Sequence, residues 1–226
     1  RCVSRTGSGK RWSMSRPTAT PAGFSIDMPD GFTPITTGSN YSSTEEIMRQ
    51  FQQLFSVDPT DTNSALMIGM FSELGASFRE SGIEFAAIGL FRSPDEPQRP
   101  VSALLTCLRM PSAHESTEIA LSGLRETHEQ SSEASVAEID ISAGRAVVTV
   151  DESVQSVPVT DTELRTVSGS TVTAWVPSHD GATIAVVSVF SNSTDDWPHV
   201  CDTALDIFDS LSWDTVESED ASDANS

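Results

Sequence analysis

The segment from residue 165 to residue 213 constrains the fold more than any other part of the chain. Residues alternate in character from Thr171 to Val176, and those from Ile184 to Phe190 are almost all apolar, which is typical of two strands. Between them, Ser178 to Gly181 is rich in turn-forming residues. A helical pattern follows, in which one face carries Val200, Ala204, Ile207, Phe208 and Leu211. A hairpin covered by a helix is the centre of a two-layer α/β unit, so the segment predicts a fold without indicating a reaction.

Further strands are predicted where apolar residues alternate or run together. They cover residues 24–28, 83–91, 101–110, 136–141 and 146–150. Residues 151–163 are acidic and contain several valines, and they are predicted to form an irregular excursion at the sheet edge. Helical patterns interrupt the strands without strict alternation. This order predicts an α+β fold, with an antiparallel or mixed β-sheet flanked by helices rather than a doubly wound parallel sheet.

Two helices are predicted between the first strand and the second. The first begins at a capping box, Ser43 to Glu46, and the second covers residues 62–80. An apolar stripe at helical spacing runs along the second helix: Met67, Met70, Phe71, Leu74 and Phe78. Methionine adapts to irregular shapes, so Met67, Met70, Phe71 and Leu74 are a candidate ligand or partner face, although core packing is the commoner role of such a stripe.

The charge of the chain is uneven, with a formal net value of -20 at pH 7. Residues 1–22 contain bases and no acid; these bases are Arg1, Arg5, Lys10, Arg11 and Arg16. Residues 214–226 contain acids and no base. We expect both ends to be disordered, as a basic lead-in and an acidic tail, and residues 23–213 to form a single domain. An acidic domain repels phosphate groups, which argues against nucleic acid as a partner.

The cysteines bear on the compartment in which the protein works. Cys2, Cys107 and Cys201 are odd in number and widely spaced, which argues against a disulfide framework. Cys107 and Cys201 lie in apolar patterns, so buried, unreactive thiols are predicted. No apolar run reaches the roughly 18 residues of a membrane span. Since unpaired thiols suit a reducing compartment, we predict a cytoplasmic protein. The alternative location is the cell envelope, which would require a signal segment before Cys2 and a lipid attached to the Cys2 side chain.

The sequence shows no complete catalytic or metal-binding pattern. The spacing Gly-x-Ser-x-Gly of a nucleophile elbow does not occur. His179-Asp180 lies in a predicted turn, and His199 and Cys201 have no second ligand pair in the sequence that would complete a zinc site. The carboxylate pairs Glu45-Glu46 and Asp195-Asp196 stand at predicted helix starts, where capping and the helix dipole explain them. We therefore predict no catalytic, metal or cofactor site.

Several short motifs resemble PsbP-like domains, the fold that includes DcrB-like proteins. Residues 23–32 are similar to the opening strand of these domains, with Phe32 where many members carry tryptophan. The strands within 171–191 and the helix ending at 209–213 are similar to their closing elements. Together with residues 142–145, the combination is closest in appearance to actinobacterial proteins of this kind. The resemblance covers most of residues 23–213 and implies an antiparallel sheet between helices, an α/β/α sandwich.

The resemblance also implies a kind of function. Members include an extrinsic photosystem subunit, a nuclear-transport factor that binds Ran, envelope proteins and chaperones of secreted effectors, which share binding to other proteins and no catalytic residue. The expected function is therefore a non-catalytic protein-binding module: an adaptor, chaperone or accessory subunit, with an unknown protein partner. The alternative is a small-molecule-binding protein or an unrecognised hydrolase with a pocket between the sheet and helix 62–80. We also expect Trp213 to be largely buried against the sheet.

Overall fold

The computed structural model describes residues 18–19, 21, 23–35, 78, 80–130, 134–160 and 163–214, except for the side chains of 18–19 and 153–167. The two helices predicted between residues 43 and 80 lie almost entirely outside the described residues. The candidate face formed by Met67, Met70, Phe71 and Leu74 therefore lies outside the described residues as well. The same holds for Cys2, for most of the basic lead-in and for the tail after Asp214.

Within the described residues, two antiparallel sheets and two helices form the fold. The strands are β1 (Thr18–Ala19), β2 (Phe24–Asp27), β3 (Phe32–Ile35), β4 (Phe85–Arg92), β5 (Pro100–Pro111), β6 (Ser135–Ile141), β7 (Gly144–Thr160), β8 (Glu163–Pro177), β9 (Thr183–Ser191) and β10 (Ser212–Trp213). The helices are α1 (Thr117–Gln130) and α2 (Trp197–Asp209), and a 3-10 turn covers Thr194–Asp196. A seven-stranded sheet has the order β3-β4-β5-β9-β8-β7-β6, and a three-stranded sheet has the order β1-β2-β10. The predicted α+β class is confirmed.

The predicted hairpin with its covering helix is present as β8, β9 and α2. Strand β8 pairs with β9 from Ser170↔Ser191 to Pro177↔Ile184. The turn between them needs a glycine at position 181, because its φ is +74° and a Cβ there would collide with the carbonyl oxygen of His114. The turn also binds the segment before α1, since the His114 N–H donates to the Gly181 carbonyl at 3.2 Å.

Side chains alternate between the two faces of the large sheet, and each face has its own helix. On one face, Val172 and Ala174 belong to the main core together with Phe208 of α2 and Phe24 of β2. On the other face, α1 lies over β6, β7 and β8, where the ring of Trp175 is 4.6 Å from that of His128. Helices therefore cover both faces of the sheet, because each face of these strands carries apolar side chains.

The predicted irregular excursion at residues 151–163 is wrong. Strand β7 continues to Thr160, and β8 begins at Glu163 and pairs with it as a ribbon. β6 pairs with β7 only as far as Val150, and β9 pairs with β8 only as far as Ser170. The ribbon therefore continues past both neighbouring strands. Its valines and threonines favour extended backbone, and the two strands satisfy each other's backbone hydrogen bonds.

The start of the described fold lies inside the predicted lead-in. Thr18–Ala19 pairs with β2, so ordered structure begins before residue 23. At the other end, Trp213 pairs with Phe24 of β2, and their ring centroids are 5.8 Å apart. Trp213 is half-buried against the main core, less than predicted, because it lies on the small sheet at the edge of that core. No described helix is long and apolar enough to cross a membrane.

Candidate functional site

A buried polar cluster forms where the β4–β5 loop meets the start of α2. The loop folds back on itself, since the Ser93 N–H donates to the Arg99 carbonyl at 2.9 Å and the Arg99 N–H donates to the Glu96 carbonyl at 2.8 Å. The Ser93 hydroxyl oxygen accepts the N–H groups of Asp95 and Glu96 at 3.3 and 3.0 Å. The proline-rich sequence predicted a loop here, and these bonds give it one definite shape.

Asp196 is the centre of this cluster, and its side chain is 0% exposed. One carboxylate oxygen accepts the Ser93 hydroxyl at 2.6 Å, and the other accepts the Arg99 Nε–H at 2.8 Å. Burial alone would raise the pKa of Asp196, but the hydrogen bonds from Arg99 and Ser93 outweigh it, so the pKa lies below its ordinary value. Asp196 is therefore a buried, ionised and fully engaged carboxylate.

The capping role predicted for Asp195-Asp196 is wrong for Asp196. This residue does hold the N-cap position of α2, but its side chain makes no capping hydrogen bond. The carboxylate instead bonds to Ser93 and Arg99 of the β4–β5 loop. Its role is thus to join two distant parts of the chain, which a local helix-start pattern cannot indicate.

Exposed carboxylates surround the buried one. Arg99 also pairs with Glu96 at 3.0 Å and with Asp195 at 3.6 Å, and His199 Nε2 lies 3.0 Å from an oxygen of Asp95. The side chains of Asp95, Glu96 and Asp195 are 71%, 64% and 75% exposed. We call these three residues the acidic rim. Their exposure leaves carboxylate oxygens in contact with water and open to an approaching cationic group.

A metal ion has three potential ligands at this position, but the buried carboxylate among them is already paired with Arg99. One atom each of Asp95, Asp196 and His199 lies within 4.8 Å of the others. Both oxygens of Asp196 already accept hydrogen bonds, one from Ser93 and the other from Arg99 Nε at 2.8 Å. The positive charge of this guanidinium would repel a metal ion bound to the same carboxylate. The arrangement fits a network of ion pairs better than a metal centre.

A cleft of about 400 Å³ opens beside the cluster, at the end of the sheet where β4 and β9 finish and β5 begins. Its lining residues come from these strands and the 3-10 turn: Leu90, Arg99, Pro100, Val101, Ser102, Asn192, Ser193, Thr194, Asp195 and Asp196. Ser102 donates to the side-chain carbonyl of Asn192 at 3.0 Å. The alternative pocket was predicted elsewhere, under helix 62–80, which lies outside the described residues.

The cluster does not have the geometry of a catalytic nucleophile. The Ser93 hydroxyl donates to Asp196, accepts two backbone N–H groups and one N–H of the Arg99 guanidinium, and belongs to a residue that is only 1% exposed. A substrate therefore cannot reach its oxygen without disrupting these four hydrogen bonds. His179-Asp180 lies in the β8–β9 turn as predicted, and there the Asp180 carboxylate accepts from Ser178 and from the Ala182 N–H. The Ser93 hydroxyl and the Asp180 carboxylate are therefore both used in local hydrogen bonds.

The cysteines differ from one another. Cys107 on β5 is fully buried and free, and burial raises the pKa of its thiol, so it is unreactive as predicted. Cys201 in α2 is buried but disulfide-bonded, so the prediction of a thiol is wrong there. Its partner lies outside the described residues. An apolar pattern indicates burial and cannot distinguish a thiol from a half-cystine.

The described residues define an acidic α+β protein with helices on both faces of an antiparallel sheet. No protein-family model matches the chain, and neither the curated proteins nor the solved structures contain a detectable match. The resemblance to PsbP-like domains accordingly stays a prediction.

Proposed function

We propose that the protein is a non-catalytic module that binds another protein through the β7–β8 ribbon. The observation that carries this proposal is the length of the ribbon beyond its neighbours. After Val150 on β7, and before Ser170 on β8, no strand of the described residues pairs with either outer edge. Such edges present unpaired N–H and C=O groups, and adding a strand from a partner is a common mode of protein recognition.

The dimensions of the ribbon suit this role. At roughly 3.3 Å per residue, the part of β7 from Asp151 to Thr160 spans about 30 Å. A two-stranded ribbon alone is at best marginally stable in water, so a third strand from a partner would stabilise it. With a net charge of -20, the protein favours partners that present basic segments. The PsbP-like resemblance supports the same class of function.

A shortened ribbon tests the proposal. Replacing residues 153–169 by Asn-Gly joins Glu152 to Ser170, which already face each other, through a two-residue turn. We expect the full chain to retain a stoichiometric partner from its host and the shortened chain to lose it. In the complex, cross-links should place the partner beside residues 151–160, and the ribbon amides should exchange more slowly.

The matched control is Asp195→Asn, which changes the acidic rim and leaves the ribbon intact. This variant should keep the partner. If the shortened chain keeps its circular dichroism spectrum and binds the partner as well as the full chain does, the ribbon is not the docking element. If the full chain recovers no stoichiometric partner, the protein-binding function itself is contradicted.

The second candidate is a binding site for a small cationic molecule in the 400 Å³ cleft. The observation that favours it is the acidic rim, whose exposed carboxylates face solvent beside polar groups of Ser102 and Asn192. A thermal-shift screen with amines should then raise the melting temperature of the wild type and not that of Asp195→Asn. Ser93 offers no nucleophile to this cleft, because its hydroxyl is buried and hydrogen-bonded, and the hydrolase pocket predicted under helix 62–80 lies outside the described residues.

The disulfide of Cys201 changes the argument about location. The prediction of a cytoplasmic protein assumed three unpaired thiols, and this premise is wrong. Disulfides persist mainly in oxidising compartments, so we propose the alternative location, the cell envelope or its exterior. Fractionation of the host with an antibody against the folded domain would decide between the two compartments.

A further inference from the structure

The tripeptide that directly follows β9 has the form of a modification signal. Asn192-Ser193-Thr194 reads Asn-x-Thr, in which the middle residue is not proline, and this is the acceptor sequence for N-linked glycans. Asn40-Tyr41-Ser42 has the related form Asn-x-Ser but lies outside the described residues, so only the first sequence has a known place in the fold. Because so short a sequence also occurs by chance, its surroundings decide whether it can be used.

The surroundings of Asn192 leave its side-chain nitrogen accessible. The residue is exposed, and its Oδ1 accepts a hydrogen bond from the Ser102 hydroxyl at 3.0 Å. Nδ2, the atom that receives a glycan, makes no hydrogen bond within the part of the chain that the structure describes. Attachment at Nδ2 leaves Oδ1 unchanged, so the modified side chain keeps its contact with Ser102.

The backbone after Asn192 holds this residue in its exposed position. The Ser193 N–H donates to the Ser191 hydroxyl at 3.1 Å, and the Ser193 hydroxyl accepts the Ser102 N–H at 3.3 Å. The Thr194 N–H donates to the Asn192 carbonyl at 3.1 Å, and Thr194 is itself exposed. We propose that Asn192 carries an N-linked glycan when the protein is made in its host.

The disulfide of Cys201 is an independent observation that agrees with this proposal. Disulfides persist mainly in oxidising compartments, and N-linked glycans occur on surface loops of secreted proteins. The proposal rests on the proposed location and not on the β7–β8 ribbon. It can therefore fail without contradicting the protein-binding function.

The transfer is a substitution at the anomeric carbon of a sugar. The donor is a saccharide joined to a lipid carrier through a phosphate group, and a membrane enzyme of the host catalyses the step. Nδ2 of Asn192 forms a bond to the anomeric carbon, the bond from that carbon to the phosphate oxygen breaks, and the lipid phosphate leaves with the electron pair. The amide loses one proton, and nothing is oxidised or reduced.

The glycan would begin at the 400 Å³ cleft, because Asn192 is one of the residues that line it. Ser102, Thr194 and Asp195 line the same cleft, and their hydroxyl and carboxylate groups are suitable hydrogen-bond partners for sugar hydroxyls. The first sugar and a small cationic molecule would therefore compete for this space. Only the chain without a glycan would leave the cleft open to the cation.

Tryptic peptides separate the two acceptor sequences. Cleavage after arginine and lysine, with no cleavage before proline, places Asn192 in residues 166–226 and Asn40 in residues 12–49. The full chain is purified from its host, and tandem mass spectrometry of peptide 166–226 should show a saccharide attached at Asn192. Finding this peptide only in unmodified form would overturn the inference, and so would a glycan confined to peptide 12–49. If the unmodified chain comes from the cytoplasmic fraction, the proposed location is contradicted as well.

Four variants test whether the modification follows this signal. Asn192→Gln moves the acceptor nitrogen and Thr194→Ala removes the hydroxyl that the signal requires, so both should lose the glycan and migrate faster on a denaturing gel. Thr194→Ser keeps a hydroxyl and Ser193→Ala changes only the variable middle position, so both should keep the glycan. Circular dichroism checks that each variant is folded. If folded Thr194→Ala still carries a glycan at Asn192, or folded Thr194→Ser and Ser193→Ala both lack it, the inference is wrong.

Discussion

Replacing Asp196 by alanine is expected to lower the free energy of unfolding by about 3 kcal/mol, the lower end of the range for breaking a buried ion pair. The carboxylate is completely buried and accepts hydrogen bonds from Ser93 and Arg99. Without it, the buried hydroxyl of Ser93 loses its acceptor. The lower end of the range applies because Arg99 is 31% exposed and keeps Glu96 and Asp195 as partners. Urea titrations followed by tryptophan fluorescence measure the change.

The adjacent Asp195 offers a close control. It is also paired with Arg99, at 3.6 Å, but its side chain is 75% exposed. Asp195→Ala should therefore change the free energy of unfolding by less than about 0.5 kcal/mol, as exposed ion pairs contribute little. Equal losses for the two variants would mean that the carboxylate of Asp196 is not the element that holds the β4–β5 loop to α2.

The same carboxylate predicts an acid dependence of stability. The pKa of Asp196 is lower in the folded protein than its ordinary value, despite burial, because Arg99 and Ser93 donate to the ionised form. Its stabilising contribution is fully present above the pKa of the unfolded chain, about 3.9, and is lost as the pH falls through the lower folded value. The difference in unfolding free energy between wild type and Asp196→Asn should thus be constant from neutral pH to about pH 5 and shrink below about pH 4. A difference that grows on acidification would contradict the assignment.

Local patterns predicted the parts of the fold that depend on neighbouring residues. The hairpin of β8 and β9 and its covering helix follow from alternation, a glycine turn and helical spacing, all within one continuous segment. The glycine at 181 is required by a positive φ, which the turn sequence itself indicates. These features are determined by residues close together in the chain, so the sequence alone is sufficient to predict them.

The features that the sequence did not predict depend on distant pairing. The ribbon between residues 151 and 169 contains a proline and many polar residues, a composition typical of a loop. Its strands are recognised only from their pairing with each other, which the local sequence does not indicate. Asp196 and Arg99 are 97 residues apart, and nothing near either residue indicates the other. An Asp-Asp pair before a helix has a sufficient local explanation in capping, which is why the cluster was missed.

Trp213→Ala is the second variant with a large expected effect. The ring lies edge-on to Phe24, with centroids 5.8 Å apart, and packs against the main core. Phe24 is completely buried, so removing the indole opens a cavity beside one of the largest core side chains. We expect a loss of about 3 kcal/mol, the low end for a large aromatic, because Trp213 is only half-buried. Thermal and urea unfolding both measure it.

The loss at Trp213 should come from packing rather than from hydrogen bonding. The indole Nε1 is buried and has no hydrogen-bond partner among the described residues, so its removal also relieves the cost of an unsatisfied donor. Trp213→Phe keeps the aromatic contact with Phe24 and lacks this donor, and it should therefore retain most of the stability that alanine loses. Ile119→Ala on the exposed side of α1 serves as the control and should be nearly neutral, since Ile119 is 56% exposed. If Trp213→Ala melts within a degree or two of the wild type, β10 does not stabilise the contact between β2 and the core.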